Sequence, residues 1–195
     1  MRKLILLAFV TGLLLLGCVT GGDHLSDLNS LQSDQIVLAG RIVLDPPLDA
    51  EEQDLAFTAA HMKNRVYFMM GDDLMRPEDL NMKNLDSLFS SKLGEPFFIP
   101  IECSENIFFS VPFIQMILSA ERDDRLYLPG GIGFEIPENA RAVSIGTLVY
   151  HRDVYNEITE VELMFGDSRI QTGFKALNPG STELHELEPL SEPKE

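Results

Sequence analysis

The chain has 195 residues, of which 45% are hydrophobic and 24% are charged, as expected for one globular domain or at most two small ones. The 15 Lys and Arg residues are outnumbered by 31 Asp and Glu, so the formal net charge is −16. A surface this acidic repels phosphate backbones, and we therefore expect no nucleic-acid partner. The 2 cysteines are too few for a disulfide framework or for a zinc site of four thiolates.

The N-terminal residues have the plan of an export signal. Met1 is followed by two basic residues, and residues 4–16 carry no charge, like the first two regions of a secretory signal peptide. As a helix, residues 4–17 would span roughly 21 Å, which is less than the roughly 30 Å of a bilayer core. This length disfavours a permanent transmembrane helix. The alternatives left open are an ordinary cleaved signal and an uncleaved anchor.

The end of this segment indicates the type of signal. Residues 15–18, Leu-Leu-Gly-Cys, resemble the lipobox of bacterial lipoproteins, and the resemblance covers residues 1–18. It implies that Cys18 receives a diacylglycerol, that the bond between Gly17 and Cys18 is cleaved, and that the new amine is acylated. Val19 stands where this family's inner-membrane retention signal has Asp. The resemblance therefore implies a lipoprotein of the outer membrane, which its lipid anchor attaches to that membrane.

Composition divides the remaining chain into three parts. Residues 18–34 are rich in Gly, Ser, Asp and Asn and predict a lipidated, flexible tether that could extend to about 55 Å. Residues 35–178 contain short alternating or continuous apolar runs and predict a folded domain. Residues 179–195 are acidic, with three prolines and no large apolar pattern, which predicts a disordered tail.

The folded part predicts mainly β-structure. Roughly eight short strands, separated by turn residues every eight to twelve positions, predict an antiparallel β-sandwich of the Ig-like or transthyretin-like kind, with a small β-barrel as the alternative. Gly40 predicts a bulge, and segment 142–161 resembles the closing hairpin of sandwich domains in bacterial lipoproteins. The predicted elements are strands at 35–44, 65–70, 141–151 and 159–165, a hairpin of 97–103 with 107–111, and short helices within 49–62 and 77–92.

The sequence contains no clear catalytic constellation. Residues 151–153 spell His-Arg-Asp, like a kinase catalytic loop, but the glycine loop and the D-F-G motif are missing. Cys103 alternates in phase with apolar neighbours, which predicts a small core residue rather than a nucleophile. The four histidines show no metal-binding spacing; they are His24, His61, His151 and His185.

Two other groups of residues allow a ligand-binding alternative. Five methionines fall within residues 62–82, and thioethers suit Cu(I), although packing or an adaptable interface is the simpler use of methionine. Acidic turns are compatible with weak Ca²⁺ binding, but no EF-hand loop is present. The methionines are Met62, Met69, Met70, Met75 and Met82; the turn acids are Asp72, Asp73, Glu121, Asp123, Asp124 and Asp153.

These features together predict a membrane-anchored envelope lipoprotein. We expect it to be a structural or protein-interaction module with an envelope protein as partner, without enzymatic activity, cofactor or metal. The alternative is a lipoprotein that binds a small ligand, a lipid, or Ca or Cu ions.

Overall fold

The computed structural model describes residues 25, 27–55, 64–79, 87–119, 122–178, 180 and 182–190. Over these residues the chain forms two five-stranded sheets that pack face to face, which confirms the predicted mainly-β sandwich. The strands are β1 (Gln35–Asp45), β2 (Arg65–Gly71), β3 (Leu88–Lys92), β4 (Pro96–Glu102), β5 (Asn106–Ser119), β6 (Arg122–Tyr127), β7 (Ile132–Glu135), β8 (Ala142–Arg152), β9 (Ile158–Met164) and β10 (His185–Glu186). The helices are α1 (Ala50–Leu55) and α2 (Ser168–Leu177), with 3₁₀ turns at Leu28–Ser30 and Pro77–Asp79.

The first sheet contains β4, β1, β8, β9 and β10. Strand β1 pairs antiparallel with β4 and parallel with β8. Strand β8 also pairs antiparallel with β9 and parallel with β10. Every residue from 142 to 150 in β8 is buried, because both faces of this strand are apolar or small and both are covered.

The register between β1 and β8 shifts between Ala39 and Arg41, but the bulge predicted at Gly40 is not in β1, where Gly40 pairs regularly with Phe97. The additional residue lies in β8, where Gly146 has a φ of 73°. A Cβ at Gly146 would lie 2.5 Å from the Met164 carbonyl oxygen. Glycine is therefore required at this position both by the left-handed backbone and by the close approach of β9.

The second sheet has the order β3–β2–β5–β6, with β7 also paired to β5, and all of its pairs are antiparallel. The hairpin predicted for 97–103 with 107–111 is wrong, because β4 pairs with β1 in the first sheet and β5 pairs with β2 in the second. Residues 103–105 carry the chain between the sheets. The alternative of a small barrel is also wrong, since the described strands form two sheets and no closed barrel.

The main hydrophobic core lies between the two sheets. Alternate residues of β1, β2, β4, β5 and β8 point into it, as expected when one face of each strand is buried. Its largest fully buried side chains include Phe68, Phe97, Phe109, Phe134 and Tyr150. The ring of Phe68 lies 5.0 Å from that of Phe97 and 5.2 Å from that of Phe109, so aromatic contacts join the two sheets.

The outer face of the first sheet is covered by α2 and by the segment 25–34, which we call the N-terminal arm. Leu25, Leu28 and Leu31 of the arm pack against the cluster that contains Phe98 and Phe174. The Leu25 N–H donates a 2.9 Å hydrogen bond to the Phe98 carbonyl. The prediction of a flexible tether for 18–34 therefore does not hold for the N-terminal arm. Its leucines, spaced three residues apart, pack on an apolar surface of the first sheet. Residues 18–24 lie outside the described residues.

Helix α2 was not predicted from the sequence and is fixed by Asp167 at its start. The Asp167 carboxylate accepts hydrogen bonds from the Arg169 N–H at 2.8 Å, the Thr147 hydroxyl at 2.6 Å and the Arg41 guanidinium at 2.8 Å. Burial raises the pKa of Asp167, but these hydrogen bonds outweigh it and bring the pKa from 3.8 down to about 2. The ionised carboxylate therefore joins α2 to both central strands of the first sheet.

The C-terminal segment also differs from its prediction of disorder. Strand β10 pairs with β8, Leu187 is only 2% exposed, and the Leu187 N–H donates to the Ser144 carbonyl at 2.8 Å. The Leu190 N–H donates to the Gly133 carbonyl in the second sheet at 2.8 Å. We call residues 183–190 the C-terminal strap, because one short segment with a single core leucine links the two sheets. Residues 191–195 lie outside the described residues.

The two predicted helices have different outcomes. Helix α1 occupies Ala50–Leu55 of the predicted 49–62, and residues 56–62 lie outside the described residues. The helix predicted within 77–92 is wrong at both described ends, where a 3₁₀ turn covers Pro77–Asp79 and β3 covers Leu88–Lys92. In the described ranges, no helix is long and apolar enough to cross a membrane.

Candidate functional site: the β8–β9 tip and the intersheet cleft

The turn between β8 and β9 is fastened to the body by Arg152, the last residue of β8. Its side chain is 5% exposed. The guanidinium donates to the Pro46 carbonyl at 2.9 Å, to the Pro47 carbonyl at 2.8 Å, to both carboxylate oxygens of Glu52 and to the Asn156 side-chain oxygen. Each N–H donor of the guanidinium therefore has an acceptor within the protein, as a buried guanidinium requires.

Glu52 on α1 is the ionic partner in this network. Hydrogen bonds from Arg152 lower the pKa of Glu52 from 4.5 to about 2, against the opposite effect of burial. The Glu52 carboxylate also accepts a 2.8 Å bond from the Asp49 N–H, while the Asp49 side chain accepts from the Glu52 N–H at 2.9 Å. This reciprocal capping box begins α1 and aims Glu52 at Arg152.

The turn itself, residues 153–157, has a defined conformation. The Asp153 carboxylate accepts the backbone N–H of Tyr155 at 2.8 Å and that of Glu157 at 3.0 Å. The Asn156 N–H donates to the Asp153 carbonyl at 3.2 Å, and Asn156 adopts the left-handed φ of 66° that asparagine tolerates. Together with the bond from Arg152 to Asn156, these contacts hold the turn rigidly.

The rigid turn presents two large apolar side chains to solvent. Val154 is 91% exposed and Tyr155 is 82% exposed. Tyrosine offers a large contact area with few rotatable bonds and is enriched where proteins bind partners. Acidic residues Asp153 and Glu157 flank the pair. We call residues 153–157 the hairpin tip; its chemistry suits a partner with an apolar pocket bordered by basic groups.

A second feature is a cleft of about 480 Å³ where the edge strands β3 and β4 of the two sheets approach each other. Its apolar lining comes from both sheets and includes Met70, Phe89, Ile101 and Ile107, all members of the main core. Cys103 also lines it. We call this the intersheet cleft. Its volume falls in the range of small-molecule pockets.

The structure corrects the prediction that Cys103 is a core residue. Strand β4 ends at Glu102, and Cys103 is an exposed free thiol whose N–H donates to the Asp34 carbonyl at 2.8 Å. The alternation that buries Ile99 and Ile101 stops where the chain leaves the first sheet. A one-residue difference in the end of the strand therefore reverses the burial of this side chain.

The histidines and acids do not form a metal site within the described ranges, where no three His, Cys, Asp or Glu side chains are placed to hold an ion. His151 lies between two carboxylates, with its Nδ1 3.1 Å from Asp45 Oδ2 and its Nε2 3.5 Å from Glu162 Oε2. Residues 123 and 124 belong to β6 rather than to the predicted acidic turn. The remaining candidates are placed as follows: His185 lies in β10 and Asp72 and Asp73 in the bend after β2, while His24, His61 and Glu121 lie outside the described residues.

The two methionines of β2 pack as core residues. Met69 is 0% exposed and Met70 is 4% exposed, which confirms the packing role predicted for them. As neighbours in β2 they point to opposite faces, Met70 into the main core and Met69 into a cluster that Met75 also contacts. Their thioethers therefore do not converge on one ion. Met62, Met82 and the proposed lipidation site Cys18 lie outside the described residues.

Sequence reasoning missed the role of Arg152 and Glu52 because the two are separated by 100 residues. The exposed Val154 and Tyr155 carried a signal, since large apolar side chains in an otherwise polar turn have no use in the core. Comparison with known proteins gives no relative: no family model, no curated protein and no solved structure matches the chain.

Proposed function

We propose that the protein is an outer-membrane lipoprotein of the bacterial envelope, anchored through acylated Cys18, whose β-sandwich binds an envelope protein without catalysing a reaction. The observation that carries the binding role is the hairpin tip, where Val154 and Tyr155 are 91% and 82% exposed on a turn that is held by the Asp153 carboxylate and by the hydrogen bond from Arg152 to Asn156. A preorganised apolar pair loses little conformational entropy on binding.

The charge of the tip and of the body defines the partner further. Asp153 and Glu157 flank the apolar pair, and the whole chain carries −16. A complementary partner surface therefore combines a pocket for Tyr155 with surrounding Lys or Arg side chains, because complementary charge speeds encounter and fixes orientation. The same net charge disfavours contact with anionic lipid head groups.

The docked N-terminal arm supports an anchor with a short reach. Six residues, 19–24, separate Cys18 from Leu25, the first residue seen on the first sheet. Chain geometry limits the distance from Cys18 to Leu25 to about 25 Å. Three acyl chains, as the lipoprotein resemblance implies, would each contribute about 0.8 kcal/mol per buried methylene, so the body would stay close to the bilayer.

The binding role is tested by photo-crosslinking in the native envelope. A photoreactive amino acid at position 155 should crosslink to one defined protein, and Val154→Ser in the same chain should reduce that product at least fivefold. The matched control carries the photoreactive residue at Glu138, an exposed position in the turn before β8, at the other end of that strand. The same product from both positions, or none from position 155, would refute the proposed contact.

The anchor is tested separately by metabolic labelling with palmitate. The parent chain should incorporate label and partition into detergent-rich membranes, whereas Cys18→Ala should do neither. The conservative comparison is Cys103→Ala, which removes the exposed thiol on the body and should label normally. Labelling that disappears with Cys103→Ala but persists with Cys18→Ala would exclude the anchor at Cys18.

A further inference from the structure

The intersheet cleft is lined on one side by β1 and β4 of the first sheet and on the other by β2, β3 and β5 of the second. Its apolar lining side chains are well buried, with exposed fractions of 4% for Met70, 7% for Phe89, 8% for Ile101 and 2% for Ile107. Because these side chains are nearly buried, a molecule that enters the cleft contacts the main core only at their exposed edges. Burial of its apolar surface there would be favourable at roughly 25 cal/mol per Å².

The charged residues named in the lining of the cleft are acidic. Among the described residues that line the cleft there is no Lys, Arg or His, whereas Asp72 and Glu102 both contribute to it, together with neutral polar groups such as Gln35 and Ser104. Carboxylates close to a low-dielectric wall attract cations more strongly than they would in bulk water and repel anions. The cleft therefore discriminates between ligands by the charge of their head group.

From these two properties we propose that the intersheet cleft binds a small amphiphile with an alkyl or aromatic body and a cationic head group. The apolar body occupies the space beside Phe89 and Ile101, and the head group lies near Asp72 and Glu102. A fatty acid or other anionic lipid fits the same volume but meets two carboxylates. This binding activity goes beyond partner recognition at the hairpin tip and does not depend on it.

Cys103 provides a direct readout, because it is an exposed thiol that lines the cleft. In the Cys18→Ala full-length chain it is the only cysteine. The rate of its alkylation by a maleimide is measured against rising concentrations of three probes below their micelle-forming concentrations: decyltrimethylammonium, decanoate and tetramethylammonium. Decyltrimethylammonium should protect Cys103 saturably, at a concentration at least tenfold lower than either other probe.

Charge-neutral variants test the role of the two carboxylates. In the double variant Asp72→Asn/Glu102→Gln, the preference for decyltrimethylammonium over decanoate should fall below threefold. Glu138→Gln removes one negative charge from an exposed turn residue that does not line the cleft and should leave the preference unchanged. The far-ultraviolet circular dichroism of each variant establishes that the fold is intact.

Several results would overturn the proposal. Equal protection by decanoate would show that charge is not recognised, and equal protection by tetramethylammonium would show that the apolar space is not used. Absence of saturable protection by decyltrimethylammonium in a folded chain would show that the cleft does not take such a molecule. An unchanged preference in the double variant would assign the selectivity to other residues.

Discussion

Replacement of Arg152 by methionine is expected to destabilise the fold strongly and in a pH-dependent way. Methionine keeps much of the length and apolar stem of arginine but removes the guanidinium. The change leaves the Glu52 carboxylate, the carbonyls of Pro46 and Pro47 and the side-chain oxygen of Asn156 without their donors. Polar groups left unpaired in a partly buried site cost more than the net value of the bonds they lose.

The magnitude follows from the Glu52 pKa. Lowering it from 4.5 to about 2 corresponds to about 3 kcal/mol of stability at neutral pH. The Glu52 side chain is 15% exposed, so solvent screening reduces this only slightly, and loss of one partner of a buried ion pair costs about 3–5 kcal/mol in other proteins. We expect Arg152→Met to cost about 3 kcal/mol, or about 6–12 °C in melting temperature for a domain of this size.

The pH dependence has a definite sign. A carboxylate with a depressed folded-state pKa stabilises the fold above its unfolded pKa, here near 4.5, and this contribution is lost as the pH falls through about 2. The penalty of Arg152→Met should therefore be constant above about pH 6 and smaller by about 2 kcal/mol at pH 3. Urea denaturation followed by circular dichroism and tyrosine fluorescence measures it, since the chain has 4 Tyr and no Trp.

Arg141→Met is the matched control for this prediction. Arg141 precedes β8, is exposed, and its side chain donates a long 3.3 Å bond to the Ser33 carbonyl, so its replacement should change stability by less than about 0.5 kcal/mol. A penalty for Arg152→Met no larger than the control, or one equally large at pH 7 and pH 3, would show that the ion pair with Glu52 does not stabilise the fold as argued.

Three further substitutions test other contacts of the fold by the same denaturation assay. Leu187→Ala should lower the free energy of unfolding by about 3 kcal/mol, because the side chain is 2% exposed. Its control is Glu188→Ala, an exposed position of the C-terminal strap, which should change that free energy by less than about 0.5 kcal/mol. Equal effects of the two substitutions would contradict docking of the strap. Asp167→Asn should cost about 1–2 kcal/mol at pH 7, and the cost should fade as the pH drops through about 2, since the folded pKa of Asp167 is lowered to about 2. Gly146→Ala should lower the free energy of unfolding by at least about 2 kcal/mol, because the φ of Gly146 is 73° and the new Cβ would lie 2.5 Å from a carbonyl oxygen. Its control is Gly71→Ala, whose Cβ meets nothing within 4 Å and which should be tolerated.

The sequence predicted strands well where a short, mostly apolar run is bounded by turn residues. The runs at 35–44, 65–70 and 141–151 became β1, β2 and β8 with ends shifted by at most one or two residues. In each run the alternating side chains face the main core, so the pattern and the packing have the same cause. The two-sheet architecture followed from the number and spacing of such runs.

Pairing partners and special positions were not available from the same pattern. An alternating strand shows which face it buries but not which strand lies beside it, and β4 and β5 were therefore assigned to one hairpin although they belong to different sheets. Helix α2 buries Ile170 and Phe174, and Leu177 packs beside them; this i, i+4, i+7 spacing is a helical signal that a period of two does not detect. The N-terminal arm and the C-terminal strap each dock through isolated leucines, whose burial depends on surfaces built elsewhere in the chain.

In the candidate site, too, some features can be predicted from neighbouring residues and others depend on contacts between distant parts of the chain. The turn after β8 was predicted from polar residues, and its exposed Val154 and Tyr155 are visible in the sequence. Its attachment to the body, however, depends on Arg152 bonded to a helix 100 residues earlier, and the intersheet cleft is formed by five strands from both sheets. A feature that depends on long-range pairing can be located only after the sheets are assembled.

The docked arm also limits where the proposed partner can lie. Leu25 bonds to Phe98, which is level with Ala39 and hence with Ser144 of β8. The hairpin tip begins after Arg152, eight residues further along the same strand, or about 26 Å at 3.3 Å per residue. With about 25 Å of chain between Cys18 and Leu25, an acylated Cys18 places the tip no more than about 50 Å from the membrane surface. With Cys18 acylated as proposed, a partner that received Tyr155 would bind within about 50 Å of the membrane surface.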